Sequence, residues 1–247
     1  MSASALLLAV RVASINLCTD EYLLLLAQPQ EIASISYLAQ DPLESVLWRR
    51  AKPHHANFGS VEQVLTTRPN IILTMGGGGR ATGMIAGRMN IRAVELRAPM
   101  SMEDVAVNLR SVGAALGAPH RAEPWLRRLR LLRASQPTRA QDAILLSGSG
   151  QSLSTGAPGV AWLRMAGLRQ RALPGGKATL ETLLIRPPAV LLQSNYRRAQ
   201  VSAAANWLRH PVIRNMRSQR LSTDGRAWTC MGPLMIPEIE RLRAAAR

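Results

Sequence analysis

This sequence is short of aromatics, lysine and cysteine. Phe, Trp and Tyr together make only 4% of the chain, and Phe58 is its only phenylalanine. A strand-stacking nucleic-acid surface needs aromatics interleaved with basic residues, and that pattern is missing. Lys52 and Lys177 are the only lysines; the remaining basic residues among the 31 are arginines. The formal charge of +16 would ordinarily suggest a polyanion partner. The scattered arginines and the lysine deficit fit codon bias instead, so no nucleic-acid partner is expected. Cys18 and Cys230 stand at opposite ends of the chain. Without a CxxC pair, a structural zinc site is not expected. No run approaches the roughly 18 apolar residues of a spanning helix. Residues 2–10 are apolar and small but lack the basic start and full-length apolar core of an export signal, which therefore looks incomplete. No HExxH, nucleophile elbow or P-loop ending occurs, and no catalytic residue or cofactor is assigned.

What is present is a chain of 247 residues, 47% hydrophobic, able to bury a large core as one domain or two. Strand and helix patterns alternate. Strands are expected at 11–17, 32–37, 93–96 and 143–146, with Thr19 capping a helix rich in leucine whose early acids Asp20 and Glu21 favour its start. Further helices are expected at 43–50, 81–89, 101–116, 160–166, 200–208 and 237–246. Alternation of this kind predicts an α/β fold with largely parallel sheets. It pauses at residues 119–135, where Trp125, Leu126, Leu129 and Leu132 recur at helical spacing.

One local unit occurs twice. Residues 60–74, SVEQVLTTRPNIILT, align with 179–193, TLETLLIRPPAVLLQ. Glu62 then falls on Glu181, Val64 on Leu183, Pro69 on Pro188, and Ile71-Ile72-Leu73 on Val190-Leu191-Leu192. The repeat implies two similar lobes, taken as residues 11–117 and 138–247, joined by a connecting helix within 118–137. The two glutamates read either as ordinary acids in a helix's first turn or as matching knobs for a two-fold symmetric partner.

Four segments, Ser-Ile-Asn-Leu-Cys-Thr-Asp-Glu (14–21), Ser-Val-Glu-Gln-Val-Leu-Thr-Thr-Arg-Pro-Asn-Ile-Ile-Leu (60–73), Leu-Arg-His-Pro (208–211) and Trp-Thr-Cys-Met-Gly-Pro (228–233), together resemble one family. It is the periplasmic substrate-binding proteins of ABC importers for cobalamin and iron–siderophore complexes, and the resemblance spans about residues 11–245. It implies two α/β lobes, a rigid connecting helix, a ligand cleft between the lobes and a periplasmic monomer. The implied ligand is an iron–siderophore, haem or cobalamin-type chelate, and the implied partner is a permease dimer in the inner membrane. One acid on each lobe would contact permease arginines, and Glu62 and Glu181 match those positions. Met231 departs from the pattern, since glycine is common there, so the loop after Cys230 is expected to differ in shape.

Ligands of α/β lobes sit beyond the carboxyl ends of the strands. The ligand-contact candidates are therefore Tyr37, Phe58, Met75, Arg80, Ser147, Tyr196, Trp228 and Cys230. Tyr37 and Trp228 lead, Tyr37 because the resemblance matches it to a cleft aromatic. His54 and His55 lie together in a loop, but no carboxylate or thiol cluster completes a metal site. A disulfide between Cys18 and Cys230 would hold the lobes closed, so two thiols at the cleft mouth are expected. The other reading is a two-lobed enzyme subunit holding a metal cofactor, whose ligands would have to come from Cys18, Cys230, His54 and His55.

Overall fold

The computed structural model describes residues 9–76, 79–147, 150–195 and 210–246. Within them the chain forms two compact units, one made of residues up to 98 with 104–124, the other of 99–103 with the residues from 125 onward.

The first unit contains β1 (Val12–Ser14), α1 (Leu17–Leu26), β2 (Ile32–Ser36), α2 (Trp48–Ala51), β3 (Ala56–Asn57), α3 (Val61–Leu65), β4 (Ile71–Met75), α4 (Gly79–Arg88), β5 (Arg92–Leu96) and most of α5 (Met102–Ala115). Its sheet has the order β3-β2-β1-β4-β5 with every pair parallel. The second unit contains most of α6 (Glu123–Ala134), then β6 (Gln141–Leu146), α7 (Pro158–Met165), β7 (Leu168–Gln170), α8 (Leu180–Ile185), β8 (Val190–Ser194), α9 (Pro211–Arg214), β9 (Gln219–Thr223), α10 (Ala227–Cys230) and α11 (Met235–Ala245). Its sheet runs β7-β6-β8-β9, again all parallel. The expected α/β class with parallel sheets is what the chain adopts. Buried stretches such as Ile71-Ile72-Leu73 in β4 and Ala143-Ile144-Leu145-Leu146 in β6 read as unbroken apolar runs, as expected where both faces of a parallel sheet are covered.

The four strands β2-β1-β4-β5 correspond in order and direction to β7-β6-β8-β9. In that correspondence β4 matches β8, the two strands of the repeated unit, and the aligned ends agree: Ile71 with Val190 and Met75 with Ser194. Equivalent residues also fill equivalent cores. Val64 and Ile72 pack with Ala13, Ala86 and Ile91. Leu183 and Leu191 pack with Ile144, Ala178 and Ile213.

Both helices of the repeat begin at a hydroxyl N-cap. Ser60 accepts from the Gln63 N–H, and Thr179 accepts from the Thr182 N–H while the Thr182 hydroxyl accepts from the Thr179 N–H. The second arrangement is a reciprocal box that satisfies two helix-end donors. Thr179→Ala should cost about 1 kcal/mol of stability and Ser60→Ala, whose bond is long at 3.4 Å, roughly half of that. Urea titration of the two variants checks the order.

Several local expectations need correction. Asn16, not Thr19, caps α1, its side-chain oxygen accepting from the N–H groups of Cys18 and Thr19 at 3.0 Å each. The earlier start is possible because β1 ends at Ser14, three residues short of the expected run. The helix expected over 43–50 shrinks to Trp48–Ala51. Asp41 is the local reason: its carboxylate accepts from the Leu43 N–H at 2.7 Å and its carbonyl from Ser45, which makes a turn there. β3 and β7 are strands of two and three residues, too short to show a period. The helix expected over 200–208 lies outside the described residues. Among the described residues, no helix is long and apolar enough to cross a membrane.

Candidate functional site

In the first unit all five strands end at one edge, at Ser14, Ser36, Asn57, Met75 and Leu96. Tyr37 and Phe58 follow β2 and β3 directly. Their ring centroids lie 5.1 Å apart with the planes tilted by 32°, within the favoured range for an aromatic pair. Both rings are exposed, Tyr37 by 47% and Phe58 by 71%. Two large rings left in water together form an exposed apolar patch, uncommon in a chain with so few aromatics.

The loop carrying Phe58 is pinned on both sides. The Phe58 N–H donates to the Gln63 side chain at 2.8 Å, and the Gly59 N–H to Asn57 Oδ1 at 3.0 Å. Gly59 has a φ of +89°, and a Cβ there would stand 3.0 Å from the Ile15 carbonyl oxygen. Only glycine turns the chain so sharply and so close to β1. Asn57 itself is buried and donates to the Ser14 carbonyl at 2.9 Å and to the Ser34 hydroxyl at 3.1 Å. Met75 closes β4 at the same edge, half-buried. Arg80 is the second residue of α4, and its side chain lies outside what is described, as does all of Tyr196.

The second unit's strand ends differ. Ser147, just after β6, is half-buried, with its N–H donating to the Gln151 carbonyl at 2.8 Å. Trp228 is 9% exposed. Its indole N–H donates to the Thr223 hydroxyl at 2.6 Å, and that hydroxyl donates to Glu238. A Cβ on Gly159 would come within 3.2 Å of Trp228 Cζ3 and Met231 Cε. Trp228 is thus held as a packed, hydrogen-bonded wall of the second unit. Cys230 is buried beside it, and Met231 adopts the left-handed backbone that glycine takes without strain, at φ 50°. The loop therefore keeps a glycine conformation at a cost of about 1 kcal/mol.

The expectation of two free thiols is overturned. Cys18 and Cys230 are both disulfide-bonded. A bonded cysteine has no thiolate to offer a metal. His54 is partly buried, which lowers its pKa, while His55 is exposed and lends its carbonyl to the Ile35 N–H at 2.9 Å. Among the described residues no group of three or more His, Cys, Asp or Glu side chains stands together.

Glu62 and Glu181 occupy the same place, the second residue of a capped helix, and both are exposed. Bonds from its own backbone N–H and from the Ser60 hydroxyl hold the Glu62 carboxyl below its ordinary value. Beside Glu181, Leu184 and Ile185 are exposed by 51% and 86%. Asp20, expected from the sequence only as an early helix acid, lies fully buried and accepts from the N–H of Ser36, the residue before Tyr37, at 3.1 and 3.2 Å. The available signal was serine at 14, 34 and 36, inside strands that are otherwise apolar.

No protein-family model matches the chain, and no curated protein does either. Solved structures do. A periplasmic haem-binding protein from Pseudomonas aeruginosa is 22% identical, with 96% of this chain and 92% of that one covered at a TM-score of 0.65. The periplasmic haem-binding protein HutB of Vibrio cholerae is 14% identical, with 97% and 99% covered at 0.71. The periplasmic vitamin B12-binding protein BtuF of Vibrio cholerae is 16% identical, with 95% of each chain covered at 0.62. Matching them over nearly its whole length, with parallel sheets in both units, the chain has the α/β fold that these periplasmic binding proteins share.

Proposed function

We propose that this protein is the substrate-binding component of an ABC importer, capturing a planar metal chelate of the haem or corrin kind and delivering it to a permease dimer. Residues 11–117 and 138–247 would act as the two lobes, with 118–137 between them and the ligand held between the lobes. The observation that carries this reading is the exposed Tyr37–Phe58 pair at the carboxyl edge of the first sheet. Flat apolar macrocycles gain most from such rings, because stacking adds to the area removed from water. The structural neighbours include haem-binding and vitamin B12-binding proteins, which supports the same ligand class. Ser147, Met75, Arg80 and Tyr196 are the further contacts we assign, with Arg80 suited to an anionic ligand group. Glu62 and Glu181 would dock on permease arginines. The location we assign is the periplasm.

The test is a titration with hemin, cobalamin and a set of ferric siderophores, followed by tryptophan fluorescence. Binding of one class at micromolar concentration or below is expected. Absence of binding across the set would end the reading. The alternative of a metallocofactor-holding enzyme subunit loses its ligand set with the two bonded cysteines.

A further inference from the structure

A buried carboxyl is costly unless its oxygens are satisfied, and Asp20 is wholly buried. Its partner is Ser36, whose N–H and hydroxyl both donate to the carboxyl. Ser36 is the residue before Tyr37. On the neighbouring strand Asn57, tied to Ser14 and Ser34, is the residue before Phe58. Each buried polar group therefore fixes the backbone one residue ahead of a ring.

We propose that Asp20 and Asn57 are positioning residues for the Tyr37–Phe58 pair, and that the protonation state of Asp20 tunes how firmly the pair is presented to ligand. The inference rests on the pair being the ligand surface. Few other ionisable groups compete. On α1 itself there are Glu21 and Tyr22, with Cys18 bonded. β1, β2 and β4, which pack against α1, carry none, and the turn after β2 brings the Tyr37 phenol and, at its end, the Asp41 carboxylate. From α5, Asp104 acts on Tyr22, to whose hydroxyl the Asn108 amide donates. Arg121 reaches the opposite end of α1, at the Leu26 carbonyl.

Burial raises the Asp20 carboxyl to about 7, against the opposing bonds from Ser14 and Ser36. It therefore ionises between roughly pH 6 and 8, and the ionised form makes charge-assisted bonds about twice as strong as neutral ones. Hemin and cobalamin affinities are to be measured from pH 5.5 to 8.5 for the native protein and for Asp20→Asn and Ser36→Ala. Comparing variants at each pH cancels the ligand's own titration. The native protein should bind about five times more tightly than Asp20→Asn at pH 8.5 and about equally at pH 5.5. Ser36→Ala should show a smaller pH-dependent gap. Amide exchange at Ser36 and Tyr37, corrected for intrinsic rate and measured without ligand, should follow the same pH curve and be flat in Asp20→Asn. Circular dichroism checks folding, and Ser36→Ala carries the test if Asp20→Asn fails to fold. A pH-independent affinity ratio together with unchanged amide protection overturns the proposal. Protection that follows pH in a protein binding neither chelate sinks the ligand reading and leaves the positioning role standing.

Discussion

Replacing Tyr37 and Phe58 together with alanine is expected to weaken binding of the preferred chelate by roughly 100-fold, about 2.8 kcal/mol, while leaving the melting temperature nearly unchanged. The two halves of this expectation have one cause. Tyr37 and Phe58 are 47% and 71% exposed, so they contribute little to the folded core, and surface changes of this kind usually stay within about 0.5 kcal/mol. Their area becomes useful only when a ligand covers it. Single substitutions should each account for part of the loss. Their sum need not equal the double, since each ring leans on the other at 5.1 Å. The contrast is Trp228, where alanine should damage folding first, because its ring is buried and its N–H is bonded to Thr223. Fluorescence titration and thermal melts on the same samples separate the two. A double variant that binds like the native protein removes the ring pair from the site.

Reversing both exposed glutamates, Glu62→Lys with Glu181→Lys, should abolish ligand-stimulated ATP hydrolysis by the cognate permease in proteoliposomes, with ligand affinity unchanged. Each carboxylate stands on the second residue of a helix whose N-cap is a hydroxyl, a rigid mount. Interfacial charge pairs couple by about 1.5–7 kcal/mol, so reversal at two sites exceeds what the remaining contacts could offset. Each single reversal should weaken stimulation and steepen its salt dependence. The second site has apolar company in Leu184 and Ile185, where the first has Leu65 half-buried and Thr66. Glu181→Lys should accordingly leave more residual, salt-insensitive association than Glu62→Lys. Full stimulation by the double variant would return both residues to the role of ordinary helix-end acids.

The parts of the molecule that repeat in the sequence were legible in it. Residues 60–74 and 179–193 align because each must supply a capped helix, a proline and a buried strand, and those demands are local. The sites were harder to read. Tyr37 and Trp228 look alike as aromatics near strand ends, yet one is solvent-facing and the other is walled by Gly159 and Met231. No periodicity separates them, because exposure depends on what packs from distant segments. Asp20 looked like a first-turn acid for the same reason: Ser36, which it holds, lies 16 residues away.

By itself the sequence determined the α/β class, the doubling of one helix–strand unit and the two glutamates at equivalent helix starts, because turn chemistry, capping and apolar runs act over a few residues. Only the tertiary structure decided which strands are neighbours, which aromatic is left exposed and which carboxyl is buried. Those outcomes turn on contacts between residues far apart in the chain, where solvent exclusion, not local propensity, sets the energy.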